Sequence, residues 1–119
     1  MVVDDEADLR EMLVDELAAL GAQVISAENG RQAYTLYLNN KIDVIVCDVR
    51  MPSGDGVELL TRIRQAAPEA PPYFFVMTGY SNLEQNRMMD LGAQGFFAKP
   101  FNLTHLRSVI SQCFIPSSA

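Results

Sequence analysis

Apolar positions along the chain alternate between short continuous runs and stripes at helical spacing. The runs are Met1–Val3, Val24–Ala27, Ile42 with Val44–Val46, Tyr73–Met77 and Phe96–Ala98. Runs this short, bounded by turn residues, read as buried strands. Between them lie helical stripes. Leu9, Met12, Leu13, Leu17 and Leu20 mark the first, with Gly21 placed to end it. Ala33, Leu36 and Tyr37 mark the second, which the turn Asn29-Gly30 is placed to cap. Leu59, Leu60, Ile63 and Ala67 mark a third that stops at Pro68. Asn82–Leu91 predicts a weaker helix, because Leu83, Met88, Met89 and Leu91 form no clean stripe. Asn102 caps the last, with Leu103, Leu106, Ile110 and Cys113 on one face.

Strand and helix thus alternate five times with short connections, the pattern of an α/β domain with a parallel sheet and helices on both faces. The domain is expected over residues 1–115, with 116–119 a polar tail. In such sheets ligands bind beyond the carboxyl ends of the strands. The polar residues follow that rule. Asp4 and Asp5 end the first run, Asp48 the third, Thr78 the fourth and Lys99 the fifth.

These five side chains change the picture. Two carboxylates about 4 Å apart repel by roughly 4 kcal/mol at an effective dielectric near 20. Three converging ones call for a cation, and a hard divalent ion such as Mg²⁺ suits oxygen donors in an open site. Lys99, one of only two lysines, sits between Phe96-Phe97-Ala98 and Pro100-Phe101, where an unpaired ammonium is expensive. Cation, ammonium and the Thr78 hydroxyl around Asp48 would stabilise phosphoryl transfer onto that carboxylate.

Composition narrows the classes. The chain has 119 residues, enough for one packed core, and a net charge of −6, which argues against nucleic-acid binding. No apolar run approaches the ~18 residues of a membrane span, and MVVDDE has no signal-peptide character. Cys47 and Cys113 make no CxxC motif. A cytoplasmic location is expected.

With VVDDE (2–6), DVRMPSGDG (48–56), MTG (77–79) and KPF (99–101) in this order at strand ends, the chain resembles a response-regulator receiver domain of two-component signalling. The resemblance implies a doubly wound five-stranded sheet of flavodoxin-like order 2-1-3-4-5. It implies that Asp48 is the phosphoacceptor and that Asp5, Asp48 and the backbone carbonyl of Arg50 ligate Mg²⁺, with Asp4 acting through water. Thr78 and Lys99 would contact phosphoryl oxygens, Thr78 and Phe96 would form the switch, and the Lys99-Pro100 bond would be cis. The donor would be a histidine kinase or histidine phosphotransfer protein. Such a domain is a signalling phosphoacceptor rather than an enzyme acting on a separate substrate. It would switch a partner or attached effector, and a second copy could dock on the fourth helix, fifth strand and fifth helix. Arg50 and Tyr80 match positions bordering the path of hydrolytic water. The chain is expected to be a stand-alone regulator or a fragment of a longer one.

Singly, each signal has a structural explanation. Asp4, Asp5 and Glu6 suit a helix N-terminus, Thr78 a turn, Lys99 a salt bridge with Asp48, and Phe96 and Phe97 opposite faces of a strand. His105, off its helix's apolar stripe, is expected to be solvated. A flavin carrier would need a Gly/Ser/Thr phosphate loop where DDEAD stands, and a dehalogenase-type phosphatase would need an acid where Arg50 stands. The remaining alternative is a pseudo-receiver that docks partners without being phosphorylated.

Overall fold

The computed structural model describes residues 1–48, 56–78, 82–98 and 102–113. In chain order the elements are β1 (Val2–Val3), α1 (Ala7–Ala18), β2 (Ser26–Ala27), α2 (Gly30–Asn39), β3 (Val44–Asp48), α3 (Gly56–Ala66), β4 (Tyr73–Thr78), α4 (Asn82–Asp90), β5 (Gly95–Ala98) and α5 (Leu103–Gln112). The five strands form one parallel sheet in the order β2-β1-β3-β4-β5. This is the predicted 2-1-3-4-5 arrangement.

Side-chain alternation along each strand divides the core into two layers. Val3, Ile45, Cys47, Phe74 and Val76 face one layer with Leu59, Leu60 and Ile63 of α3, Ala33 of α2 and Met88 of α4. Val2, Val44, Val46, Phe75, Met77 and Phe97 face the other, with Leu13 and Leu17 of α1 and Leu106 and Ile110 of α5. All five residues of β3 are buried, which is why that segment reads as an apolar run instead of alternating. Phe97 is buried beside Phe75, with ring centroids 5.6 Å apart, while Phe96 points outward and is 42% exposed. The two phenylalanines therefore take opposite faces, as their adjacency in a strand requires.

Two local readings shift. β2 covers Ser26–Ala27 rather than Val24–Ala27, because its ladder partner β1 supplies only Val2 and Val3. Val24 and Ile25 still pack, against opposite core layers. On α1 the buried line is Leu13 and Leu17 at i, i+4, whereas Met12 and Leu20 are each 37% exposed. Met12 sits on the flank of the stripe, and Leu20 lies beyond the helix end, in the turn where Gly21 adopts φ +90°. Among the described side chains of α4, Met88 is buried and Met89 exposed.

The start of α2 is held as its sequence predicts. Asn29 Oδ1 accepts from the Gln32 N–H at 2.8 Å, and Gln32 Oε1 accepts from the Glu28 N–H at 2.7 Å. Replacing Asn29 by Ala is expected to lower stability by about 1 kcal/mol, read from the urea midpoint. An unchanged midpoint would mean that packing of α2, and not the cap, holds this end.

Between α1 and α5, Arg107 Nη1 donates to Glu16 Oε2 at 3.0 Å. A cavity of about 640 Å³ opens near Met1, Leu17, Val24, Ile42 and Ile110. It contains none of the strand-end carboxylates, so the chemistry has to be sought at the other edge. Both cysteines are free thiols, and burial pushes the Cys113 thiol above its usual pKa.

Candidate phosphoacceptor and metal site

Register brings the acids together. Val2 pairs with Val46 and Val3 with Cys47, so the next residues along the parallel strands are Asp4 and Asp48. One carboxylate oxygen from each of Asp4, Asp5 and Asp48 lies within 4.8 Å of the others. Asp4 is fully buried, Asp48 is 6% exposed and Asp5 is exposed. On the other side of β3, Asp48 pairs with Met77, which places Thr78 one residue further along β4, in register with Ala98 of β5.

The loop after β1 is fixed by short polar contacts. The Asp4 N–H donates to Ala27 O at 3.1 Å, and Asp4 Oδ1 accepts from the Glu6 N–H at 2.8 Å. Glu6, the residue before α1, makes no side-chain cap of its own. The helix-start explanation of the acids thus holds for one oxygen of Asp4, and it does not account for Asp48, forty-four residues along the chain (48 − 4). Arg10, which the sequence reading passed over, donates from Nη1 to the Asp4 carbonyl at 2.8 Å.

Like charges this close are unfavourable without a compensating cation. An all-oxygen donor set with two buried members and one open to solvent fits a hard divalent ion that keeps some of its waters. Arg50, Tyr80, Lys99 and Pro100, and the Thr78 side chain, lie outside the described residues, so the readings placed on them, including the cis bond, carry over as expectations. Phe96 lies on β5 with its ring toward solvent. His105 is exposed, as its position off the stripe predicts, and its ring meets Phe97 edge-on at 5.9 Å.

A parallel sheet of this order, carrying acids at the ends of β1 and β3, defines a class, and the comparisons agree with it. Residues 1–111 match the response regulator receiver domain family, and the chain belongs to that family. It is similar to the response regulator protein PilR of Pseudomonas aeruginosa, with 32% identity over 93% of this chain and 25% of PilR. It is also similar to the sporulation initiation phosphotransferase F of Bacillus subtilis, with 29% identity over 94% of this chain and 90% of that protein. Among solved structures, the chemotaxis protein CheY4 of Vibrio cholerae superposes with a TM-score of 0.86 at 28% identity, covering 94% of each chain. The chain thus spans about a quarter of the length of PilR but most of the two smaller proteins. No helix among the described residues is long and apolar enough to cross a membrane.

Proposed function

We propose that this receiver domain, over residues 1–115, takes a phosphoryl group onto Asp48 from a phosphohistidine on a histidine kinase or phosphotransfer protein. The observation that carries the reading is the convergence of Asp4, Asp5 and Asp48 within 4.8 Å at the carboxyl edge of the sheet. An Asp48 carboxylate oxygen forms the new O–P bond as the N–P bond breaks, and the imidazole departs and takes up a proton. Asp5, Asp48 and the Arg50 carbonyl would hold Mg²⁺, with Asp4 acting through water. When bound there, Mg²⁺ would supply positive charge to offset that of the phosphoryl oxygens. Thr78 and Lys99 hold those oxygens from the ends of β4 and β5.

Output follows from the same arrangement. Phosphorylation draws the Thr78 hydroxyl inward, and the exposed Phe96 ring moves into the space released. Fully burying a Phe is worth ~1.5–3 kcal/mol, enough to shift a two-state population roughly tenfold or more. The reshaped face comprises α4, β5 and α5, where a partner, an attached effector or a second copy docks. The domain works in the cytoplasm, binds no nucleic acid itself, and acts on no separate substrate.

Incubating the chain with acetyl phosphate and Mg²⁺ tests this reading. One added phosphoryl group by intact mass, lost when Mg²⁺ is chelated, is the expected result. A chain that stays unmodified while a known receiver in the same tube is labelled would be a pseudo-receiver, a docking module only.

A further inference from the structure

Arg10 lies in the first turn of α1, and its side chain runs back toward the loop preceding the helix, the direction helical side chains take. Nη1 donates to the Asp4 carbonyl at 2.8 Å, and Nη2 stands 3.8 Å from Glu28 Oε1. The Arg10 side chain is only 15% exposed, whereas that of Glu28 is 70% exposed. With Glu28 open to solvent, a pair 3.8 Å apart holds little, so the contact with Asp4 is the one that fixes the guanidinium.

That carbonyl belongs to the peptide joining Asp4 to Asp5. It lies past Val3, the last residue of β1, so the strand ladder does not set its direction. The Asp4 N–H is held by Ala27 and its Oδ1 by Glu6. With Arg10 on the carbonyl, Asp4 is anchored at backbone nitrogen, side chain and backbone oxygen. A turn of the 4–5 peptide would swing Asp5 away from Asp4 and Asp48. The nearby positive charge also lessens the repulsion among the three acids.

We infer that Arg10 is a positioning residue for the acidic cluster, setting its affinity for Mg²⁺ through the Asp4–Asp5 peptide without touching the ion; this rests on the cluster being the metal site proposed above. Groups that orient ligands in this way typically change metal affinity by 10–100-fold when removed. Here the donor acts on the backbone between two ligands, which places the expected effect at the lower end.

The test is a calorimetric Mg²⁺ titration of the full 119-residue chain and its variants, with circular dichroism to confirm folding. Arg10→Met is expected to bind about tenfold more weakly, and Arg10→Lys, which returns a donor and the charge, to recover part of the loss. Glu28→Gln should stay within about twofold of the unaltered chain, as a long pair to a solvent-exposed carboxylate predicts. A folded Arg10→Met variant that binds like the unaltered chain overturns the inference and leaves the metal site standing. An unaltered chain that binds no Mg²⁺, or binds it equally well with Asp5→Asn, overturns both. Should Arg10→Met fail to fold, NMR of the unaltered chain decides. The Arg10 Nε–H resonance should follow the same Mg²⁺ saturation curve as the Asp5 amide, and a silent Arg10 beside a shifting Asp5 overturns the inference.

Discussion

Asp48→Asn should remove phosphoryl labelling entirely while leaving the fold intact. Asn matches Asp in shape, so the buried end of β3 keeps its packing, but an amide offers no anionic oxygen to attack phosphorus. The same change should uncouple stability from Mg²⁺. An ion that binds only the folded state at 100 times its Kd adds about 2.7 kcal/mol to stability. With one of three clustered carboxylates neutralised, the variant should gain less than about 1 kcal/mol under the same conditions. Urea denaturation with and without Mg²⁺ measures the difference. Equal Mg²⁺ stabilisation of the two chains would place the ion elsewhere.

Phe74→Ala should have the largest effect on stability. Phe74 is 1% exposed in the layer beneath α3 and α4, on β4, which lies between β3 and β5. Its N–H donates to Gln94 Oε1 at 2.6 Å and its carbonyl accepts from the Gln94 N–H at 2.8 Å, so the backbone there resists collapse into the cavity left behind. Truncations of this kind cost about 3–5 kcal/mol, against a total of roughly 5–15 kcal/mol for a domain. Phe96→Ala, on the exposed side of β5, should cost under about 1 kcal/mol. Near-equal losses in the denaturation midpoint would mean that the two faces of the sheet are not as distinct as their exposure implies.

Much of this architecture is legible in the sequence for a physical reason. Val44–Val46 is apolar throughout because β3 is covered on both faces, and Asp48 stands out because a charge ends a segment otherwise buried. Strand order is harder to read, since periodicity says which residues are buried but not which strands are neighbours; resemblance supplied that step. Errors arise where burial depends on a partner element. Met12 and Leu20 have helical spacing, yet no element covers them fully, and β2 is cut short by the length of β1. Arg10 is the most instructive omission. An arginine in a helix's first turn looks like a solvated charge, and only the backward run of its side chain onto the Asp4 carbonyl connects it to the acids. The nearest sequence signal is its position, six residues after Asp4 (10 − 4) and within one helical turn of the acidic loop.

The central claim is that Asp48 accepts the phosphoryl group, and chemical trapping addresses it most directly. Borohydride reduces an aspartyl phosphate to homoserine, so labelling followed by reduction and tandem mass spectrometry marks the modified residue. The account predicts homoserine at position 48, in Mg²⁺-treated samples only. Homoserine at position 4 or 5 instead, or an acid-stable phosphate on a hydroxyl residue, would contradict it.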